Sequence, residues 1–389
     1  MPDAAVTERR VIVELGNLAG REGALVGRGR LTAALGRLAE VHDLVERGVE
    51  DFRWPHLLLP DDAALAAVTR TGAELRGRAR RLAVAGQPGA LAPLRAIVGA
   101  LSPEAPLRWV DSADAAPADA DDLAWLVLEG PPWADALAEA AVAAGRPVAV
   151  AGAGEHEAPP DGWWVSDPAA GDGRFGALGL GTLLGAAFAG VDVAALVAGA
   201  RDVTAACRRP ALFENPAYTL AAAFEAAEAR LGVSGLAHVV PTGRLRGFGE
   251  WVARAWGAAS ARTAEQDGAR RYVGGPGASG VAGDEEFAEA LLGGGRDRLL
   301  VAWEVEGVDP VPVRVFAQLW RRERMPFLRV RLPGIDATSL GGALQLVAHT
   351  TLVTSLLGGR DPFAREAVSA WDAALERARA DVDGGARIA

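Results

Sequence analysis

Arginine is the only strong cation of this 389-residue chain: all 40 basic residues are arginine, and no lysine occurs. A guanidinium holds anions well but stays protonated near neutral pH, so it cannot serve as an acid–base shuttle. The five histidines, His42, His56, His156, His238 and His349, are scattered without the spacing of a metal site. His349 stands in an apolar helical stretch, where a hydrogen-bonded core histidine is expected. Cys207 is the single cysteine, which excludes an internal disulfide and a thiolate cluster within one chain and agrees with a reducing compartment. Gly179, Gly181 and Gly185 form a GxGxxxG pattern inside an apolar helical run with no strand directly before it. They read as small residues for close helix packing rather than as a dinucleotide loop. Neither a metal nor a cofactor is expected.

The elements that must position any chemistry follow from length and pattern. A chain of this length buries two cores. The 50 acidic residues give a net charge of -10, which argues against general affinity for nucleic acid or anionic membranes. The segment MPDAAVTERRVIVEL lacks the basic and apolar regions of a secretory signal, so a cytoplasmic protein is expected. Phe175 to Val191 is uncharged but shorter than the ~20 residues of a membrane span, and it predicts a buried helix.

Residues 1–72, with the strand VIVEL and helical stretches, read as an N-terminal cap region. From 73 to 205, the β-like runs LAVAG, LRWVDS, LAWLVLEG, RPVAVAG and GWWVSD alternate with helical segments, the mark of parallel βαβ units. From 206 to 360 the pattern resets with GLAHVVPTG, RLLVAWEV, VPVRVFAQLW and PFLRVRLPG as strands, FGEWVARAWGAASARTA as a helix and GGPGASGVAGDEE as a surface loop. Residues 361–389 predict a C-terminal helix and a frayed tail. The fold class is α/β, with two tandem doubly wound parallel-sheet domains and helical extensions at both ends.

Five short motifs occur in a telling order: Asp111-Ser112-Ala113-Asp114, Gly173-Arg174-Phe175, Gly190-Val191-Asp192, Asn215-Pro216-Ala217 and Asp361-Pro362-Phe363. In them the chain, from about residue 80 to 375, resembles the phosphoglucose isomerase family, most closely its actinobacterial branch. The resemblance implies two sugar-isomerase-type domains, a sugar-phosphate ligand, interconversion of glucose 6-phosphate and fructose 6-phosphate, and a homodimer.

The motifs that carry the family's chemistry depart from its pattern. Its first phosphate loop resembles Gly86-Gln87-Pro88-Gly89-Ala90-Leu91-Ala92-Pro93, where the serine is missing and Pro88 has removed an N–H. Its second, hydroxyl-rich phosphate element corresponds to the run from Leu128 through Glu129 and Gly130 to Ala136. That run has no hydroxyl, two prolines, and the carboxylates of Glu129 and Asp135, which repel phosphate. The family's base falls at Ala258, and Arg254 takes the place of a glutamine. The ring-opening lysine falls near Asp372, and the histidine falls near Glu286. Arg174 alone is kept, where it would stabilise an enediolate or, equally, pair with a carboxylate at a domain seam.

Three readings follow. The coordinated losses predict a catalytically inactive descendant acting as a binding or scaffold protein. Alternatively, the enzyme works with a relocated base, Glu250 or Glu265, about two helical turns on either side of Ala258. Last, Trp133 and Trp256 beside the altered sites fill the pocket or stack on a different ligand. By the rule for open α/β sheets, Arg174 is expected at the carboxyl end of the first sheet.

Overall fold

The structure, a computed structural model, describes residues 11–359 except 20–23, 34, 52–53, 55–56, 116–121, 129–131, 155–156, 169–175, 234, 261, 267–268, 274–277, 283 and 293–296. Two five-stranded sheets form its frame. In the first, β2 (Arg81–Ala85), β3 (Leu107–Val110), β4 (Leu123–Leu128), β5 (Val148–Gly152) and β6 (Trp163–Ser166) run parallel in the spatial order β3-β2-β4-β5-β6. In the second, β7 (Gly235–Val240), β10 (Ala278–Val281), β11 (Arg298–Val305) and β12 (Phe327–Leu332) are parallel, and β1 (Ile12–Glu14) closes the edge antiparallel to β12, giving β1-β12-β11-β7-β10. The chain is thus an α/β protein with two parallel-sheet cores, and the sequence-predicted strands near Leu82 and Leu236 start them. A separate hairpin pairs β8 (Arg262–Gln266) with β9 (Ala269–Val273).

Near-continuous apolar runs make these strands because both faces are covered. Leu82, Val84, Leu126 and Ala149 face one way, into a core shared with Leu236, Val301, Trp303 and Val330 of the other sheet. Ala83, Ala85, Trp125 and Val127 face outward under α5 (Pro132–Ala143). The outer face of the second sheet, with Ala237, Val239 and Leu300, is covered by α11 (Val311–Arg322) and α10 (Glu285–Leu292). Between the sheets lie α3 (Asp62–Arg78), α4 (Pro88–Leu101), α6 (Leu180–Phe188), α7 (Val193–Cys207), α8 (Pro216–Leu231), α9 (Arg246–Ser260) and α12 (Ala337–Leu357). Two helices that precede them in the chain are α1 (Arg28–Thr32) and α2 (Leu35–Glu50), the latter packing on α8 and α12 through Leu38, Val41 and Val45.

The middle layer is held by glycine. A Cβ on Gly199 of α7 would lie 1.8 Å from Thr338 O, and one on Gly341 of α12 would lie 1.8 Å from Leu196 O. The GxGxxxG glycines act alike: a Cβ on Gly181 would meet Ala151 Cβ of β5 at 2.6 Å, so α6 lies directly on the sheet, and one on Gly185 would meet Leu94 Cδ2 of α4 at 2.4 Å and Leu126 Cδ2 of β4 at 3.2 Å. The predicted buried helix between Phe175 and Val191 is this α6. Helix α12 is long and apolar enough to cross a membrane, but 89% of its apolar window is buried inside the protein. Helices apolar all round belong in a core.

Four local expectations are corrected. VPVRVFAQLW is helix α11, not a strand. Its alternating valines mimic a strand, yet Val313, Phe316, Ala317 and Trp320, one helical face, are the residues buried, and Pro312 sits in the first turn. Residues 278–281 of the expected loop form β10, because β7 offers a free edge for backbone pairing. The helix through 262–264 stops at Ser260, and the chain enters the hairpin. The strand VIVEL belongs to the second sheet, where Asn17 continues the pairing with its side chain: Phe327 N–H donates to Asn17 Oδ1 at 2.9 Å, and Asn17 Nδ2 donates to Met325 O at 2.8 Å. The predicted C-terminal helix lies outside the described residues.

Two predictions concern this core. Ala at Gly199 or Gly341 would drive a methyl into backbone, so each is expected to cost about 2–4 kcal/mol in urea unfolding, whereas Gly77→Ala on α3, where nothing lies within 4 Å, should add roughly 0.5–1 kcal/mol. The second concerns pH. Burial lowers His238 from 6.5 to about 3, and burial followed by the Arg208 charge lowers His349 from 6.5 to about 4. Their neutral folded forms contribute stability that is full above 6.5 and is lost as pH falls towards 4 for His349 and towards 3 for His238, because the unfolded chain binds the protons. Each histidine should contribute a slope of up to about 1.4 kcal/mol per pH unit in that window. Denaturant titrations of His238→Gln should show a shallower acid loss than the wild type.

Candidate functional site

Both sheets reverse direction of winding at a defined point. In the first sheet the chain moves from β2 to β3 on one side and then to β4 on the other, so the switch lies between the carboxyl ends of β2 and β4. Open α/β sheets bind ligands in that crevice. Gly86 ends β2 there, and a Cβ on it would touch Leu128 Cβ, at the end of β4, at 3.3 Å. Helices α4 and α5 start at this point, so their amino ends bring partial positive charge to it.

Each helix start is chemically sparse. Gln87 caps α4 without a side-chain bond, Pro88 has no N–H, and the Leu91 N–H is spent on Gln87 O at 3.0 Å. The N–H groups of Gly89 and Ala90 are the donors left in that turn. At α5, Pro132 again removes a donor, Asp135 adds a negative charge in the first turn, and no hydroxyl stands in either turn. Glu129 and Gly130 lie outside the described residues, as does Arg174. At the end of β3, the Arg95 guanidinium lies 5.2 Å from the Trp109 ring centre and pairs with Asp111 at 3.4 Å.

The second sheet has the same winding, with its switch between β7 and β11. Thr242 follows β7 and caps a short turn by accepting from Arg244 N–H at 3.4 Å. The Arg244 guanidinium crosses to the first unit and donates to Ala100 O at the end of α4, where a helix carbonyl end favours a cation. Arg246 lies 3.8 Å from Asp284, whose side chain also accepts from Phe287 N–H at the start of α10.

Helix α9 carries several of the sequence-predicted residues, but not around one point. Arg246, Glu250 and Arg254 are exposed at one-turn spacing along a single ridge, which sets Glu250 between two arginines in sequence register. Ala258 is in the last turn of the helix. Glu265 is not two helical turns beyond it: it sits on β8, in register with Arg270 of β9, because the helix ends before it. Glu286 is exposed in the first turn of α10. Trp256 is 6% exposed and meets the Phe224 ring edge-on at 4.2 Å, in the core and not in a cleft. Trp133 is half-buried against the outer cluster under α5.

Sequence reading missed Asp167. This carboxylate, 5% exposed, ends the run after β6 and accepts from Gly181 N–H at 2.9 Å at the start of α6. A Cβ on Gly179 would lie 2.6 Å from its Oδ2. The amino end of α6, which would otherwise suit an external anion, holds an internal one. The available signal was the aspartate directly after a strand and before a glycine-rich helix. Burial pushes the Cys207 thiol up to about 12, so it is a poor nucleophile. Among the described residues no group of three His, Cys, Asp or Glu could hold a metal ion.

No family model and no curated protein matches the chain. Solved structures do. A hypothetical protein from Thermus thermophilus superposes with a TM-score of 0.72 at 18% identity, covering 95% of this chain and 99% of its own. A glucose-6-phosphate isomerase from Chlamydia trachomatis superposes with a TM-score of 0.63 at 15% identity, covering 82% of this chain and 74% of its own. At these identities the likeness is one of fold: this chain shares the two-core α/β fold of these two structures.

Proposed function

We propose that this chain is a glucose-6-phosphate isomerase-like protein that has kept the two-sheet frame and lost catalysis, and that it acts as a binding or scaffold protein in sugar-phosphate metabolism, as a cytoplasmic homodimer. The observation that carries the reading is the pair of helix starts at the first switch point. Phosphate in such a crevice is held by N–H groups, hydroxyls and cations. Here Pro88 and Pro132 take an N–H from each helix, no hydroxyl replaces it, and Asp135 opposes the charge.

Proton transfer between C1 and C2 of a sugar needs a carboxylate within about 3 Å of the carbon-bound hydrogen. Alanine at 258 cannot supply it. Of the alternative bases, Glu250 is exposed on the arginine-flanked ridge of α9 and Glu265 is on the hairpin strand. The absence of lysine removes the group that family members use in ring opening, whatever the alignment.

The purified protein is expected to show no glucose 6-phosphate isomerisation in a coupled dehydrogenase assay at high enzyme concentration, since loss of the base alone removes on the order of 10² to 10⁴ in rate. Ala258→Glu should not restore turnover, because phosphate orientation is lost as well. Substantial wild-type turnover abolished by Glu250→Gln or Glu265→Gln would overturn the reading. Calorimetry with fructose 6-phosphate tests the remaining binding role.

A further inference from the structure

Helix α11 carries more apolar surface than its own sheet covers. Its inner face, Val313, Phe316, Ala317 and Trp320, is buried on the second sheet, where the Phe316 ring stacks on that of Phe287 from α10 with centres 6.1 Å apart. Its outer face repeats apolar residues at one-turn spacing: Val311 is 58% exposed, Val315 53% and Leu319 36%. Among the described residues, half of the large apolar side chains that stand exposed are these three. Single exposed apolar residues are ordinary, whereas a contiguous stripe marks an interaction surface. A row at i, i+4 and i+8 is a ridge, the shape that seats against a second helix.

Charge along this ridge is asymmetric. Glu306 and Asp309 are exposed at its amino end, where Asp309 Oδ1 accepts from Val311 N–H at 2.9 Å. At its carboxyl end Arg321, Arg322 and Arg324 are exposed and outnumber Glu323. A uniformly anionic surface would meet carboxylates at one end of the ridge and a chain of net charge -10 behind it. A second copy of the same ridge, laid antiparallel, meets the opposite sign at both ends, and the two helix dipoles oppose each other as well. In that arrangement Val315, the middle of the ridge, falls on the two-fold axis and Val311 faces the partner's Leu319.

We propose that the outer face of α11 is the surface through which two copies of this chain pair, antiparallel and isologous, with Val315 at the axis. The occupant of the ridge is thus a second copy. This inference rests on the homodimer of the function proposed above and names its surface. Helix α11 has 12 residues, about 18 Å of length, so the paired ridges fall below the ~1,200 Å² of a standard interface and make a weak, reversible dimer.

Sedimentation velocity on the full-length protein, from about 5 to about 200 µM, should show a monomer–dimer equilibrium. Val315→Arg, an exposed substitution that should leave the thermal melt unchanged, should weaken the dimer at least about tenfold. Disulfide trapping with oxidised glutathione reads the register. Val315→Cys should give a covalent dimer, because the two copies of the residue meet at the axis. Val311→Cys should not, because its two copies lie about 12 Å apart along the helices, beyond disulfide reach. Cys207 is buried and does not compete. A dimer that Val315→Arg leaves intact, or equal trapping of the two cysteine variants, would overturn this surface while leaving the homodimer standing. A wild type that stays monomeric at about 200 µM would overturn both. Loss of isomerase activity is read separately, in the coupled assay, and depends on neither outcome.

Discussion

Helices α7 and α12 meet backbone to backbone, and the separation of the two sheets follows from that contact. Gly199 on one helix and Gly341 on the other each face a carbonyl of the partner with no room for a methyl group. Gly342 adds a third close approach, 3.3 Å from Gly199 O for a built Cβ. Contact without intervening side chains leaves little slack, because dispersion is lost steeply when packed atoms part by even a fraction of an ångström. Helix α7 follows α6, which lies on the first sheet through Gly181 and Gly185, and α12 follows directly from β12 of the second. The glycine contact therefore transmits the position of one sheet to the other.

Such an apolar middle layer must settle its polar groups internally. Thr350 and Thr351 of α12 return their hydroxyls to carbonyls of the preceding turn, at 2.7 and 2.9 Å. Gln345 donates to Leu57 O at 3.2 Å and approaches His349 at 3.5 Å, which gives the expected core histidine its partner. His238 is less well served. Trp303 can only donate, so His238 Nδ1 accepts at 3.4 Å and Nε2 keeps its proton without an acceptor. At the outer edge of the second sheet, Arg329 and Arg331 of β12 alternate with Glu14 of β1 and Glu304 of β11, so that charge closes an edge that would otherwise be open to pairing.

The same economy of donors marks the candidate site. Two helix starts converge on the first switch point, yet both begin with proline and neither carries a hydroxyl. A third helix start, that of α6, is engaged by Asp167 of the chain itself. Helix amino ends thus meet at the switch point without hydroxyls beside them. Trp256 packs in the core against Phe224, and Trp133 is half-buried against the cluster under α5.

The strands of both sheets were legible in sequence because each is a short run buried on both faces, and such runs can be read without knowing their neighbours. So were the close-packing glycines of α6, the buried His349, the missing lysine and the sparse helix starts, all of which depend on local composition. Other features were decided only by tertiary structure. The alternating valines of residues 311–315 look like a strand, but the partner surface of the second sheet selects the helical face of Val313, Phe316, Ala317 and Trp320. Ala278–Val281 carries no strong strand signal and is extended because β7 presents unpaired backbone to it. Ile12–Glu14 joins a strand more than 300 residues away, fixed by Asn17 and by ion pairs to Arg329 and Arg331. Periodicity is a property of neighbours in sequence, whereas edge pairing and the choice of buried face depend on hydrogen bonds and surfaces contributed by residues that no local window contains.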